Sequence, residues 1–95
     1  MHDKANKFRD LHLGGNTFLM ANAWNPGSAV LLEEAGFSAI GTTSAGIAFS
    51  RAVPDYVGDI SLDTALEETR RIARSVEIPV SMDAENGYGH SANAV

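Results

Sequence analysis

The amino-acid sequence predicts an α/β fold in which a parallel β-sheet is built from repeated strand–helix units. Short apolar runs flanked by glycine or proline alternate with segments whose apolar residues recur every three or four positions. The order along the 95 residues is strand, helix, strand, helix, strand. This pattern allows a doubly wound sheet or the start of a (β/α)8 barrel, and a complete barrel takes about 250 residues. In the second case these residues supply only its first three strands.

The first half of the chain is predicted to form a short helix, a strand and a capped helix. Residues 4–12 suit a short amphipathic helix, and the continuously apolar residues 17–21 are typical of a strand buried on both faces. Asn25 followed by Pro26 is a helix-start signal, because asparagine caps the first turn and proline fits the first helical position. Gly36 is expected to end this helix in the left-handed conformation.

The second half repeats the pattern after a long connection. Residues 37–42 are predicted to form the second strand, whereas residues 46–60 show no regular period, and a connection of that length is expected to be functional. Ser61 or Asp63 is expected to cap the next helix, and residues 91–95 are predicted to start another. The apolar face of the helix after Ser61 is predicted to comprise Leu62, Ala65, Leu66, Ile72, Ala73 and Val76.

The third strand ends at a pair of acids. Pro79 can open a strand, and Gly87 and Gly89 indicate a sharp loop after it. Asp83 and Glu85 are two residues apart, so strand alternation predicts that both point to the same side. Two convergent carboxylates at a strand's carboxyl end are a candidate Mg²⁺ site, and a solvated acidic turn is the alternative interpretation.

The composition is that of an ordinary globular protein. The net charge of −5 and the seven scattered basic residues exclude a basic stripe for nucleic acid. There is no cysteine, which excludes disulfides and thiolate chemistry within these residues. No segment reaches a membrane-spanning length, and the polar amino terminus is unlike a signal peptide. We expect a cytoplasmic protein with neither a nucleic-acid nor a membrane partner.

Polar residues follow all three predicted strands, in ranges 22–25, 42–46 and 83–85. The carboxyl ends of parallel strands share one rim, so these ranges predict a polar ligand site there. Residues 43–46 offer hydroxyls and N–H groups that suit a carboxylate or phosphoryl group, or they form only a turn. Trp24 either lines the site or plugs the end of the sheet, and Asp55 either closes over a ligand or is solvated. The three histidines, His2, His12 and His90, share no metal-ligand spacing and are interpreted as surface residues.

Five short stretches together resemble the isocitrate lyase and phosphoenolpyruvate mutase superfamily. They are Ala23-Trp24-Asn25-Pro26-Gly27-Ser28-Ala29, Glu34-Ala35-Gly36-Phe37, Thr43-Ser44-Ala45-Gly46, Val53-Pro54-Asp55 and Asp83-Ala84-Glu85-Asn86-Gly87-Tyr88-Gly89. The resemblance covers almost the whole chain from Phe18 onward. It implies a (β/α)8 barrel of which residues 1–95 are the amino-terminal part of one domain. It also implies a homotetramer, or a dimer that exchanges its last helix.

The resemblance implies Mg²⁺ and a 2-oxo acid, or its enolate, at the carboxyl rim. Asp83 matches the principal metal-site aspartate, Glu85 the second acid, and Asp55 the gating-loop aspartate. The candidate residues are Asp55 for catalysis, Asp83 and Glu85 for the metal, and Trp24, Thr43, Ser44, Ala45 and Gly46 for the carboxylate or phosphonate substrate. A divalent cation suits such chemistry, because cleavage beside a carbonyl develops negative charge.

The resemblance implies a Mg²⁺-dependent C–C bond lyase acting on a 2-methylisocitrate-like or substituted-malate substrate. The alternatives are a phosphoenolpyruvate or carboxyphosphonoenolpyruvate mutase and, from another class, a small non-catalytic α/β binding module. The chain departs from the family at Gly41, where an aromatic residue is common, and at Glu85, where many members have aspartate. The lyases' lysine-cysteine-glycine-histidine loop and a later metal-site acid fall beyond Val95, so we expect the 95 residues alone to be inactive.

Overall fold

The computed structural model of the chain describes residues 2–55 and 59–89. Its three parallel strands form one sheet in the order β1–β2–β3, with β1 at Ala21–Ala23, β2 at Ile40–Thr42 and β3 at Val80–Ser81. The helices of the described ranges are α1 (His2–Leu13), α2 (Pro26–Glu34), α3 (Ser44–Ser50) and α4 (Leu62–Ser75). The predicted α/β fold with a parallel sheet is therefore confirmed.

One face of the sheet packs against α2 and α4. The buried cluster between them consists of Ala23, Ala29, Ile40, Ile72 and Val76, and Leu32, Phe37, Ile78 and Val80 pack against it. Ile40 and Ile72 are the largest side chains that are wholly buried. Burying a side chain of this size contributes about 1.5–3 kcal/mol to the free energy of unfolding. The strands are therefore held mainly by the helices on this one face.

The strands are shorter than the sequence predicts, and the first lies further along the chain. The sequence places the first strand at residues 17–21, but the ladder begins where Ala21 pairs with Ile40. Leu19 is 77% exposed, so this stretch is not buried on both faces. The reason is that a strand extends only as far as its neighbour runs beside it, and residues 37–39 offer β1 no partner. The prediction for residues 37–42 shortens to β2 for the same reason.

Helix α2 begins and ends as its sequence predicts. The Asn25 side chain accepts a hydrogen bond from the Ser28 backbone N–H at 2.8 Å, and the Ser28 hydroxyl oxygen accepts one from the Asn25 N–H at 3.2 Å. Pro26 occupies the first turn, where its missing N–H is not needed. Gly36 follows the helix at a φ of 99°, which only glycine adopts at little cost. Local cap chemistry therefore fixes both ends.

Helix α4 is capped by Ser61, whose hydroxyl accepts a hydrogen bond from the Thr64 N–H at 3.1 Å. Its predicted apolar face is correct in the main, with one exception: Leu66 is 42% exposed. Glu68 is buried instead, and its carboxylate accepts bonds from Arg51 at 3.2 Å and from Arg71 at 3.5 Å. A buried carboxylate requires such partners, because an unpaired charge out of water is costly.

Helix α3 occupies part of the connection that the sequence predicts to be irregular. Thr43 caps it by accepting a hydrogen bond from the Gly46 N–H at 3.2 Å, and Ile47 and Ala48 are buried. The seven residues contain too few large apolar side chains to show a helical period. The cap is therefore the only sequence signal for this helix.

Helix α1 covers the predicted residues 4–12 with a small extension at each end. The Lys4 Nζ donates hydrogen bonds to the Ala73 and Val76 carbonyls, at 2.8 and 2.5 Å, and so satisfies carbonyls at the end of α4. A cleft of about 520 Å³ separates α1 from the amino ends of the strands, where Ser38 and Pro79 lie. Helix α1 therefore lies at the amino end of the sheet.

No helix within residues 2–55 and 59–89 is both long and apolar enough to cross a bilayer. The helix start predicted for residues 91–95 lies outside the described residues.

Candidate active site

Asp83 lies two residues beyond β3 and is held by three hydrogen bonds. Its N–H donates to the Thr42 hydroxyl oxygen at 2.8 Å, which ties it to the end of β2. Its two carboxylate oxygens accept from the Glu85 N–H at 3.0 Å and from the Ser44 N–H at 3.2 Å. The Glu85 bond is the main cause that lowers the pKa of Asp83, with help from Ser44 and against an opposing effect of burial. The carboxylate is therefore fixed in position and ionised near neutral pH.

Glu85 lies near Asp83, but the backbone geometry that brings it there differs from the strand that the sequence predicts. The prediction uses strand alternation, but β3 ends at Ser81 and Glu85 has a φ of 51°. The two acids are therefore not side by side on a strand, and that reasoning is wrong. A turn closed by the Gly87 N–H on the Ala84 carbonyl at 2.7 Å carries Glu85 back towards Asp83. This turn determines the direction of the Glu85 side chain.

The electrostatics of Glu85 show that three carboxyl groups converge. The pKa of Glu85 is raised first by burial, then by the negative charges of Asp55 and Asp83, and by a side-chain hydrogen bond with Asp55. Asp55 follows Pro54 in the connection after α3. Neighbouring negative charges disfavour a further ionised carboxylate, and a bound cation would relieve the repulsion. The connection therefore supplies the pocket with an acid, and its functional role stays a prediction.

The predicted cradle at residues 43–46 is the first turn of α3 rather than an open loop. The Ser44 N–H donates to Asp83 and the Gly46 N–H to Thr43, so both groups already have protein partners. Trp24 lies beside this turn: a Cβ added to Gly46 would be 3.0 Å from the Trp24 Cβ and 2.6 Å from the Thr43 Cγ2. Gly46 therefore allows the tryptophan to lie directly against the helix start.

A pocket of about 160 Å³ lies between α3, α4 and the turn after β3. It is lined by Ser44, Ile47, Pro54, Asp55, Asp59, Ile60, Ala65, Asp83, Glu85, Asn86 and Tyr88. Four of the predicted site residues meet there: Ser44, Asp55, Asp83 and Glu85. Trp24, Thr43, Ala45 and Gly46 do not line this pocket, and Trp24 is 46% exposed beside it. The pocket thus includes every predicted acid but only one residue of the predicted cradle.

Several residues that contribute to the site were not among the predicted site residues. Thr42 positions Asp83, and Asp59 lines the pocket. Thr42 belongs to the polar range at the end of β2, which is a usable signal, whereas Asp59 carries no signal beyond being an acid in the connection. His12, as predicted, is an exposed residue; its Nδ1 lies 2.7 Å from the Phe8 carbonyl within α1.

The donor set limits which metal the site suits. Within the described ranges, no three histidine, cysteine or acidic side chains are grouped as ligands for one ion. Asp83 and Glu85 supply carboxylate oxygens only, and the four lone pairs of the Asp83 carboxylate outnumber the bonds that it accepts from Glu85 and Ser44. Mg²⁺ is commonly held by one or two carboxylates with water and substrate oxygens completing the shell. The donors therefore fit Mg²⁺, and the role of the two acids as ligands stays a prediction.

Comparison with known proteins identifies the family. The family model described as phosphoenolpyruvate phosphomutase matches residues 8–95. An oxaloacetate decarboxylase from Marinomonas sp. (strain MWYL1) is 32% identical over 96 residues, covering 99% of this chain and 33% of the relative. A phosphonopyruvate hydrolase from Variovorax sp. (strain Pal2) is 39% identical over 79 residues, covering 83% of this chain and 27% of the relative. The chain thus spans about a third of the length of these curated relatives.

Comparison with solved structures points to the same family. A phosphonopyruvate hydrolase in complex with oxalate and Mg²⁺ superposes with a TM-score of 0.88 at 37% identity, covering 95% of this chain and 31% of that one. A 2,3-dimethylmalate lyase superposes with a TM-score of 0.77 at 30% identity, covering 90% and 31%. The sequence match and the shared parallel sheet lead to one conclusion: the chain belongs to the phosphoenolpyruvate mutase and isocitrate lyase superfamily.

Proposed function

We propose that residues 1–95 are the first three βα units of a (β/α)8 barrel and belong to a Mg²⁺-dependent C–C bond lyase. The substrate class is a 2-methylisocitrate-like acid or a substituted malate. Two relatives support this class by their names, the oxaloacetate decarboxylase and the 2,3-dimethylmalate lyase. Both names refer to enzymes that break a carbon–carbon bond in a dicarboxylic acid, next to a carboxyl or carbonyl group.

The observation that carries the proposal is the placement of Asp83. Hydrogen bonds from its own N–H to Thr42, and from Ser44 to its carboxylate, fix it across the ends of β2 and β3. Its lowered pKa keeps it ionised, and Asp55 and Glu85 add negative charge beside it. Such an arrangement favours a cation at the carboxyl rim of the sheet.

Asp83 is the proposed principal ligand of Mg²⁺, and Glu85 contributes directly or through water. The bound ion supplies positive charge opposite the negative charge that develops when a bond beside a carbonyl breaks. A neighbouring structure that contains Mg²⁺ and oxalate supports the choice of ion. Burial, and then the negative charges of Asp55 and Asp83, raise the pKa of Glu85, and a bound cation would offset those charges.

The remaining site residues are proposed to hold the substrate. Ser44 lines the pocket, and Trp24, Thr43, Ala45 and Gly46 lie beside it; together these residues are the proposed substrate wall. The Ser44 and Gly46 N–H groups already have partners, and the Ser44 hydroxyl bonds with Asp83, so the Thr43 hydroxyl, whose oxygen accepts from Gly46, is the donor proposed for a carboxylate. Asp55, on the connection after α3, is the proposed catalytic residue and lines the same pocket as Ser44.

The complete active site is proposed to need further strands and a homo-oligomer, either a tetramer or a dimer. Leu19 and Met20, just before β1, are 77% and 37% exposed, and Phe49 on α3 is 66% exposed. Exposed apolar side chains beside an open strand edge suit packing against further βα units. The 95 residues alone are therefore expected to be catalytically inactive.

Cleavage of a C–P bond is the second candidate function. The phosphonopyruvate hydrolase is more similar in sequence than the decarboxylase, at 39% against 32% identity, although over a shorter stretch. The same wall and cation would accept a phosphonate in place of a carboxylate, because both offer several anionic oxygens. The two candidates therefore differ in the group that leaves and not in the position of the site.

The test uses the longest natural protein that contains this segment. Release of pyruvate from oxaloacetate, cleavage of 2,3-dimethylmalate and release of phosphate from phosphonopyruvate are measured with Mg²⁺ and with EDTA. We expect Mg²⁺-dependent cleavage of a carbon acid, and phosphate release alone would favour the second candidate. Asp83→Asn should lower kcat/KM roughly a hundredfold or more, as is typical when a group facing developing charge is removed.

Glu34→Gln is the matched control, because Glu34 is an exposed acid on α2. It should leave turnover and Mg²⁺ affinity unchanged. Unchanged Mg²⁺ affinity and turnover in Asp83→Asn would show that the metal-site assignment is wrong.

A further inference from the structure

The face of the sheet opposite the helices carries a row of small and polar residues. Ala23 and Ile40 are buried among the helices, so their chain neighbours Asn22 and Gly41 lie on the other face. The register pairs Asn22 with Gly41 and Gly41 with Ser81. These three residues therefore form one row across the sheet. Interiors of such sheets are usually filled by bulky branched residues, which makes this row unusual.

Asn22 occupies the space that a side chain at position 41 would take. A Cβ added to Gly41 would be 3.3 Å from the Asn22 Oδ1 and 3.5 Å from the Met20 Cε. All three atoms nearest to that Cβ belong to the strands or to the residue just before β1, including the Ser81 carbonyl oxygen at 3.7 Å. Gly41 and Asn22 are thus complementary: the missing side chain of one makes room for the amide of the other.

The amide of Asn22 remains available to a ligand. Asn22 is exposed, and within the described ranges its side chain has no hydrogen-bond partner. Residues two positions further along the three chain segments are Trp24, Thr43 and Asp83. Two residues of extended chain span at most about 6–7 Å, so Asn22 lies no more than about one side-chain layer below the proposed substrate wall and metal site. A substrate that contacts both Asn22 and the rim has to span this depth.

We propose that Asn22 is a further substrate-binding residue that selects four-carbon dicarboxylic acids over shorter ones. Its Nδ2 donates a hydrogen bond to the carboxylate that lies away from the cation, and Gly41 provides the space that this contact needs. A neutral amide suits the role, because it binds an anionic oxygen without adding charge beside Asp83. The proposal rests on the proposed function, in that the substrate lies at this rim.

The test compares two probes in the longest natural protein that contains the segment, with Mg²⁺ present. The two carboxylates of oxalate are joined directly, so oxalate is too short to reach one layer down, whereas two carbons separate the carboxylates of 2,3-dimethylmalate. Their dissociation constants are measured by titration calorimetry. Asn22→Leu should weaken 2,3-dimethylmalate roughly tenfold, the usual effect of losing one hydrogen bond to a charged group, and change oxalate less than about twofold.

Gly41→Ala is a second variant that displaces the amide without removing it. It should also weaken 2,3-dimethylmalate and spare oxalate, and adding Asn22→Ala should abolish this effect, because the 3.3 Å contact is then gone. Asn6→Leu on α1 is the control for a surface asparagine and should change neither probe.

Each outcome decides between the two proposals. If Asn22→Leu changes neither probe while Asp83→Asn abolishes Mg²⁺-dependent binding, the assignment of Asn22 is wrong and the proposed function stands. Equal weakening of both probes would make Asn22 a residue that only supports the site. Wild-type protein that binds neither probe would overturn the proposed function and this assignment with it.

Discussion

Gly46 provides a sharp test of how the start of α3 is packed. A Cβ at this position would meet the Thr43 Cγ2 at 2.6 Å and the Trp24 Cβ at 3.0 Å, and the first distance is far inside van der Waals contact. Overpacking of this kind costs about 1–3 kcal/mol. Alanine is better than glycine in a helix by about 1 kcal/mol, so Gly46→Ala should be destabilising by up to about 2 kcal/mol.

Rotation of Thr43 does not remove the clash without a cost. Its hydroxyl caps α3 at 3.2 Å from the Gly46 nitrogen, and turning the Cγ2 away also moves the hydroxyl. Losing such a cap costs about 0.5–2 kcal/mol, which is similar to the clash itself. Thr43→Ser keeps the hydroxyl and deletes the Cγ2, so the double variant Thr43→Ser with Gly46→Ala should recover much of the lost stability.

Gly27 is the matched control, since it lies in the first turn of α2 and the atom nearest to its added Cβ is 3.7 Å away. Gly27→Ala should therefore be neutral or stabilising. The measurement is urea unfolding followed by the fluorescence of Trp24, the only tryptophan. With a slope of about 1 kcal/mol per molar, Gly46→Ala should unfold at a urea concentration roughly 1–3 M below that of Gly27→Ala. Equal midpoints for the two variants would refute the packing described for this turn.

Three further predictions concern stability. The lowered pKa of Asp83 means that its charge stabilises the fold above pH 3.8 and that this stability is lost as pH falls through the lowered pKa. Asp83→Asn should therefore reduce the fall in melting temperature at acid pH, measured by thermal unfolding over a pH series. The raised pKa of Glu85 acts in the opposite way: stability falls as pH rises above 4.5, and Glu85→Gln should abolish that fall in the same melts. Glu33 accepts hydrogen bonds from the N–H groups of Glu77 and Ile78 at 2.7 and 3.3 Å, so Glu33→Ala should lower the free energy of unfolding by about 1–3 kcal/mol, whereas Glu34→Ala should not.

Sequence reasoning succeeds where the signal is local. The ends of α2 follow from Asn25, Pro26 and Gly36, because caps and glycine conformations depend on a few neighbouring residues. It fails where a boundary depends on a distant partner. Residues 17–21 are as apolar as a strand, but the ladder starts only at Ala21, where β2 runs alongside.

The candidate site shows the same division. The convergence of polar groups at one rim follows from the parallel order of the strands, and the 3.2 Å contact between Ser44 and Asp83 agrees with it. The position of the Glu85 side chain could not be predicted in this way, because its φ of 51° breaks the strand alternation on which the prediction depends. Asn22 belongs to the polar range 22–25 but was not singled out as a site residue, since only the strand register shows that it lies over Gly41.

The contact made by Lys4 has a consequence for how the chain can vary. The Lys4 ammonium group joins α1 to the end of α4. Helix α1 lies at the amino end of the sheet, whereas Asp83 and Glu85 follow the carboxyl end of β3. Substitutions in α1 are therefore able to raise or lower resistance to heat while leaving ligand chemistry as it is. The contact that holds α1 is separate in space from the candidate active site, so we expect the sequence of α1 to vary freely among related proteins.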